Sequence, residues 1–211
     1  MFLATTADER TWKKDDKILF LGEWCKLYSR KHIWSQLNYE TLPYHWDDRN
    51  KFKKDSVYLE SVYEEYLREI SQKLNIIHNC DQSIRYWRII IGVWLKNFIE
   101  ILFDRYINIK NAVESYNIKS TWIINADNDN WTPRDMEQFH QFYISDSWNH
   151  FIFGEIIKYM SFCIIKNIDN ERLLQSNYYK DDIPNKHNNF QLISNLFNKR
   201  FLGIYFYKSC Q

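Results

Sequence analysis

The residues with the clearest chemical potential begin with Glu23, which follows a short apolar run. Gly22 closes this run at residues 18–21, and Glu23 comes directly after the glycine. A carboxylate placed where a strand gives way to a loop suits a general base that takes a proton from a hydroxyl group. The alternative is that Glu23 only caps a following helix. Both interpretations are open from the sequence.

The second stretch, YHWDDR at residues 44–49, brings together an imidazole, an indole, two carboxylates and a guanidinium. Hydrogen bonds from these polar groups, with the face of Trp46 beneath a ring, would suit the binding of a sugar. The alternative is that Asp47 and Asp48 begin a helix and that Arg49 pairs with one of them.

The third stretch contains Arg85 and Arg88, which are three residues apart and share one face of a predicted helix near its start. Backbone N–H groups at a helix start favour an anion, so this pair predicts a phosphate or pyrophosphate contact. The alternative is two surface arginines that flank a core residue, Trp87.

The fourth stretch, DSWNH at residues 146–150, places a cap, an aromatic ring and an imidazole within the first turn of a helix. His150 is a candidate proton shuttle. The alternative is that it caps or packs. No histidine has a partner at the spacing of a metal site, so no metal is predicted.

These residues need elements that position them, and the pattern predicts an α/β fold. Apolar or alternating segments at 2–6, 18–21, 39–44 and 122–125 predict strands. We expect 18–21 and 122–125 to be neighbouring parallel strands, with Glu23 in one cleft with His45 and Arg85. Helices are predicted at 24–34, with Leu27 and Tyr28 turned inward, and at 55–78, 84–112, from 133, and from 145 to about 165. The helix at 84–112 is apolar nearly all round, which predicts a central position.

Composition limits the class of partner. The chain has 211 residues, enough for one core with an appendage, and 28 basic against 27 acidic residues give a net charge of +1. This balance offers no general attraction to nucleic acid. Charged residues interrupt the longest apolar run, no secretory signal is evident, and the four cysteines are scattered, so we expect free thiols in a reducing cytosol.

Four segments carry a family resemblance: ILFLGEWCKLYSRKH, LPYHWDDR, SIRYWRIIIGVWL followed by ILFDRY, and DSWNHFIFGEIIKY. Between Leu3 and about Tyr159 they resemble the N-terminal part of a family of transferases from bacterial O-antigen and other surface-carbohydrate gene clusters. Members of that family are longer and look like two-domain glycosyltransferases of the GT-B type. The resemblance therefore implies a Rossmann-like N-terminal half, rich in helix and with a small parallel sheet.

In that architecture the N-terminal domain supplies acceptor contacts and often a base. The resemblance implies that Glu23 deprotonates the acceptor, that the 45–49 stretch shapes the acceptor side, and that the two arginines reach toward phosphate. The catalytic candidates are Glu23, His45 and Asp47. The substrate-binding candidates are Trp46, Asp48, Arg49, Arg85, Arg88, Asp146, Asn149 and His150.

The resemblance also implies the organisation and the partners. Residues 1–166 form the acceptor-side domain and 167–211 a poorly patterned tail, and we expect the donor-binding domain to be missing and the chain to be inactive alone. A nucleotide sugar is the expected co-substrate, with no other cofactor, and a lipid-linked or other glycan is the expected acceptor. The expected location is the cytoplasm, in peripheral contact with the inner membrane face.

A second hypothesis belongs to another class of function. The chain would be a stand-alone helical interaction module, with its aromatic residues in the core and on a partner surface. A structure without parallel strands would favour this hypothesis.

Overall fold

A computed structural model of the chain describes residues 1–124 and 131–168. These residues include a sheet of five parallel strands in the order β3-β2-β1-β4-β5. The strands are β1 (Phe2–Ala4), β2 (Ile18–Phe20), β3 (Tyr39–Thr41), β4 (Ser120–Ile124) and β5 (Ile164–Ile168). The order reverses between β1 and β4, because the chain adds strands on one side of β1 and then crosses to the other.

The central strands form because they are short apolar runs that can be covered on both faces. Every residue of β1 and β2 is buried, as expected for strands in the middle of a parallel sheet. In β4 the burial alternates along the strand, with Thr121 and Ile123 facing inward. The strands predicted at 2–6, 18–21, 39–44 and 122–125 are therefore present, although most are shorter than predicted, and residue 125 of the last one lies outside the described residues.

The described residues form five α-helices: α1 (Lys31–Trp34), α2 (Arg49–Ile77), α3 (Ile84–Ser115), α4 (Met136–Tyr143) and α5 (Asp146–Met160). Side chains cap three of them. Asp48 accepts hydrogen bonds from the first turn of α2, Asp135 from that of α4, and Ser145 from that of α5. These caps satisfy backbone N–H groups that have no partner inside the helix.

The chain forms two compact units. The sheet unit comprises Met1–Leu42 and Ile109–Gln211, and the helical unit comprises Pro43–Asn108. All five strands belong to the sheet unit, whereas α2 and most of α3 belong to the helical unit.

The predicted α/β class with a small parallel sheet is confirmed. The parallel strands argue against the helical interaction module, which predicted none. One expected neighbour relation is wrong: β1 lies between β2 and β4 and pairs with both of them. The first strand is short and was predicted from few residues, so its central position could not be inferred from the pattern.

The predicted helix at 24–34 is mostly wrong. Two 3₁₀ turns, Glu23–Cys25 and Tyr28–Arg30, precede the single turn of α1. Leu27 has an extended backbone that interrupts any continuous helix, and it lies on the surface together with Tyr28, which is 85% exposed. The side chains expected to face inward therefore face solvent.

Two other helices differ from their predicted form. The helix from 145 ends at Met160 instead of near 165, because Ser161 adopts a left-handed conformation with φ 50°, and residues 164–168 form β5. The helix predicted from 133 begins at Met136, with Asp135 as its cap.

The helix α3 is less buried than its apolar composition predicted. Ile89 is 73% exposed, and Ile90 and Val93 are also on the surface, so the helix is not surrounded by protein at this level. Within residues 1–124 and 131–168, no helix is both long enough and apolar enough to cross a membrane.

Candidate functional site

The carboxyl edge of the sheet gathers polar groups from three segments of the sheet unit. The loop after β1 is held by two indoles: Trp24 Nε1 donates to the carbonyl of Thr5 (3.0 Å), and Trp12 Nε1 donates to that of Thr6 (2.9 Å). Parallel α/β sheets bind ligands at this edge, where the strand order reverses. The first turn of α5 lies against the same loop.

His150 connects the ends of β1 and β4. Its Nε2 accepts a hydrogen bond from the backbone N–H of Ile124 (3.2 Å), and its Nδ1 lies 3.1 Å from Oγ1 of Thr5. Because Nε2 is an acceptor, the proton of the neutral ring belongs on Nδ1 and is donated to Thr5. Burial lowers the pKa of His150 to about 4. The geometry thus favours a neutral histidine that holds two strand ends together, one of the two interpretations that the sequence left open.

Asp146 lies next to this histidine on the first turn of α5. Burial raises the pKa of its carboxyl group, although the carboxylate accepts a hydrogen bond from the backbone of Ala7. Oγ1 of Thr6 is fully buried and has no hydrogen-bond partner within the described part of the chain. Asn149 has a structural role, since its amide donates to the carbonyls of Tyr143 (2.8 Å) and Ser145 (2.7 Å).

Glu23 stands at the same edge, three residues after the end of β2. Its side chain is 79% exposed, and its Oε1 lies 2.9 Å from Nζ of Lys26. The carboxylate is therefore accessible, and a largely buried lysine side chain fixes its orientation. Gly22 is required beside it: a Cβ at this position would lie 2.1 Å from the ring of Trp24.

The helical unit contains a concavity of about 280 Å³. Trp46 is the one predicted site residue that lines it, and the other lining residues were not among the site candidates. They are Tyr44, Phe52, Ser56, Leu59, Glu100, Ile101, Asp104 and Arg105. The indole N–H of Trp46 donates to Asp55 (2.9 Å), which fixes the ring at the wall of the pocket.

His45 and Asp104 form a buried pair beside this pocket. Nε2 of His45 lies 3.0 Å from Oδ1 of Asp104, and the amide of Asn108 donates to the same oxygen (3.3 Å). Arg105 donates to the other carboxylate oxygen, Oδ2. Burial by itself raises the pKa of Asp104, but the hydrogen bond from His45 and the charge of Arg105 outweigh it and lower the pKa below its usual value. Asp104 is therefore a firmly anionic anchor.

Two further groups of the pocket have shifted proton affinity. Burial, followed by the nearby charge of Asp104 and a hydrogen bond to it, raises the pKa of Tyr44. Burial also raises the pKa of Glu100. Shifted titratable groups that face a concavity are typical of binding sites.

The remaining residues of the 45–49 stretch lie on the surface. Asp48 is the cap of α2, accepting hydrogen bonds from the backbone of Asn50 (2.9 Å) and Lys51 (3.2 Å). Asp47 and Arg49 are exposed, in a 3₁₀ turn and at the start of α2, respectively. The capping alternative thus describes Asp48.

The two arginines of α3 differ in their surroundings. Arg88 forms two hydrogen bonds with the carboxylate of Glu64 (2.5 and 2.8 Å), which raises the pKa of the guanidinium. Arg85 is exposed on the first turn of the helix. A phosphate would have to compete with Glu64 for Arg88.

Sequence reasoning missed Tyr44, Glu100, Asp104 and Arg105 as site residues. A signal for Asp104 and Arg105 was present, since both lie in the segment ILFDRY that carries the resemblance. His45 and Asp104 are 59 residues apart, so their pairing depends on how α2 and α3 pack. The shared cleft of Glu23, His45 and Arg85 remains a prediction, because these residues belong to different units.

Comparison with known families gives one match. The family model described as LIC12162 family transferase matches residues 1–209. The match continues well beyond Tyr159, where the resemblance seen in the four segments ends. No curated protein and no solved structure matches the chain significantly.

Proposed function

Because the chain belongs to the LIC12162 family of transferases, we propose that it acts in glycosyl transfer to a surface polysaccharide and supplies the acceptor side of the reaction. The donor is a nucleotide sugar. The acceptor is a lipid-linked glycan at the cytoplasmic face of the membrane.

The observation that carries the proposal is the position of Glu23 at the carboxyl edge of the parallel sheet. Its carboxylate is accessible and stands on the loop that also bears Trp24, whose indole binds the loop after β1. Asp146 and the Thr5–His150 pair belong to the same edge. Accessible acids at such an edge are suited to work on a bound hydroxyl group.

In the proposed step, the acceptor hydroxyl gives its proton to the carboxylate of Glu23. The acceptor oxygen forms a bond to the anomeric carbon of the donor sugar. The bond from that carbon to the diphosphate oxygen breaks, and the electron pair leaves with the nucleoside diphosphate. Nζ of Lys26, 2.9 Å from Oε1 of Glu23, holds the exposed carboxylate in position.

The test is genetic, so that the protein works in its own cellular setting. The gene is deleted in the organism that encodes the chain, and the surface polysaccharide is compared by gel profile and sugar composition. We expect a shortened or missing polysaccharide, restored by the unaltered gene and not by Glu23→Gln. Loss of a general base is expected to reduce the rate of the transfer step by at least about a hundredfold.

Glu155→Gln is the matched control. Glu155 forms an ion pair with Lys158 at the same i,i+3 spacing (2.7 Å), on α5 of the same unit. We expect this variant to restore the polysaccharide fully. An unchanged polysaccharide after deletion of the gene would refute the proposed function, and full restoration by Glu23→Gln would remove Glu23 as the base.

A further inference from the structure

We infer that the pocket of the helical unit binds a single neutral sugar ring. This inference rests on the proposed function for the class of ligand, and it goes beyond that function by assigning a site to the helical unit. The residues concerned are Tyr44, Trp46, Phe52, Glu100 and Arg105.

The size of the pocket limits the ligand. Its volume of about 280 Å³ lies at the lower end of the range for small-molecule sites. Such a volume accommodates one six-membered ring with its substituents, whereas most of a nucleotide sugar would extend into solvent. All of the lining residues come from α2, α3 and the turn before α2, so the pocket is complete within one unit.

One wall is aromatic and accessible. Tyr44 is 37% exposed and Phe52 is 43% exposed, although both rings also contact Trp46. The Trp46–Phe52 and Tyr44–Trp46 pairs are edge-to-face, with ring centroids 5.5 and 6.1 Å apart. Edge-to-face packing fixes the rings in different planes and leaves apolar surface for the C–H face of a sugar.

The polar wall offers both donors and acceptors. The carboxylate of Asp104 is held by His45 and Arg105, and Asp104 and Arg105 both line the wall. Glu100 has no hydrogen-bond partner in the structure over residues 1–124 and 131–168, and its partly buried carboxyl group is the acceptor left for a ligand. Ser56 adds a hydroxyl group at the rim.

The charges favour a neutral ligand over an acidic one. The positive charge of Arg105 is engaged by Asp104, so it does not attract a free anion strongly. Glu100 would repel a carboxylate or a phosphate placed in the same small volume. A neutral polyol satisfies the donors and acceptors and meets no such repulsion.

The experiment measures binding by the whole 211-residue chain, without any donor. Saturation-transfer difference NMR is recorded with the methyl glycosides of glucose, galactose, mannose, rhamnose and N-acetylglucosamine, and with methyl glucuronide as the acidic probe. We expect saturable binding of at least one neutral glycoside with a Kd below about 10 mM. This Kd should be lower than that of the glucuronide.

Two variants test whether the glycoside binds in this pocket. Ser56→Trp fills the rim from an exposed position on α2, so it should abolish binding and leave the fold intact. Ser61→Trp is the matched control, because Ser61 is exposed on the same helix and lies outside the pocket. Circular dichroism and the unfolding midpoint check that both variants are folded.

Glu100 provides a separate test of recognition. Glu100→Ala should raise the Kd for the glycoside about tenfold. Glu100→Gln keeps an acceptor oxygen, so its Kd should stay within about threefold of that of the unaltered protein. Absence of saturable binding by every neutral glycoside, preference for the glucuronide, or binding unaffected by Ser56→Trp overturns the inference. Because no donor is present, these outcomes are independent of the fate of Glu23 in the polysaccharide assay.

Discussion

The imidazole of His45 and the carboxylate of Asp104 are joined in the interior of the helical unit, with Nε2 3.0 Å from Oδ1. His45 lies in the 3₁₀ turn before α2, and Asp104 lies on α3. The pair therefore ties the beginning of this unit to its last helix. It also holds the carboxylate beside Arg105 at the wall of the pocket.

Replacement of Asp104 by asparagine should strongly destabilise the protein. The change removes the charge that His45 and Arg105 face in a buried setting, and leaving a partner of a buried pair uncompensated costs about 3–5 kcal/mol. Urea unfolding followed by circular dichroism measures the difference. Asp81→Asn, at an exposed position between α2 and α3, should change the free energy of unfolding by less than about 0.5 kcal/mol.

The contribution of Asp104 to the free energy of unfolding should disappear in acid. Burial raises its pKa, but the hydrogen bond from His45 and the charge of Arg105 reverse this and hold the folded-state pKa below 3.8. A lowered pKa gives stability that is present above the unfolded-state value and is lost as the pH falls through the folded-state value. The difference in unfolding free energy between the unaltered protein and Asp104→Asn should therefore be constant above about pH 5 and shrink below about pH 4. A difference that persists unchanged at the lowest pH would contradict this assignment.

His150 should give the free energy of unfolding a second pH dependence, at higher pH than that of Asp104. Burial lowers its pKa from 6.5 to about 4 in the folded chain. The unfolded state therefore binds a proton first as the pH falls below 6.5, and folding loses stability until the pH approaches 4. The full loss corresponds to roughly 3 kcal/mol. Urea unfolding at closely spaced pH values between 7 and 4 measures it.

The variant His150→Gln isolates this effect. Its amide can still accept the hydrogen bond from Ile124, but it does not titrate, so the slope of stability against pH should become shallower in this window. His140→Gln, at an exposed position on α4, should retain the slope of the unaltered protein. Equal slopes in His150→Gln and the unaltered protein would show that another group is responsible.

The sheet was largely predictable, because its strands are short apolar runs with clear boundaries. Residues 18–20 form β2 because a continuous apolar run suits a strand that is covered on both faces. The order of the strands was not predictable. The sequence does not record that β1 pairs with both β2 and β4, since the contacts between β1 and β4 join residues more than 100 positions apart.

The segment after β2 shows where periodicity fails. Residues 24–34 have helix-compatible composition, but the indole N–H of Trp34 donates to the carbonyl of Leu27 (2.8 Å), and Leu27 itself is extended. Side-chain hydrogen bonds of Trp24 and Trp34 to backbone carbonyls therefore accompany short turns in place of a continuous helix. The pocket was missed for a similar reason, because Tyr44 meets Glu100 and Arg105 only when the segment before α2 lies against α3.

Gly22→Ala should disturb the edge at which Glu23 stands. A Cβ at position 22 would lie 2.1 Å from the Trp24 ring, which cannot move freely because its N–H binds Thr5 and its face stacks on Phe153. We expect a loss of about 1–3 kcal/mol in the free energy of unfolding, as for other overpacked sites. Gly92→Ala is the contrasting variant. Its Cβ would lie 2.8 Å from the hydroxyl end of the Tyr63 side chain, and this end of the side chain can shift. Alanine is also favoured over glycine within a helix by about 1 kcal/mol. If urea unfolding gives Gly22→Ala the stability of the unaltered protein, Trp24 is not the fixed support of this edge.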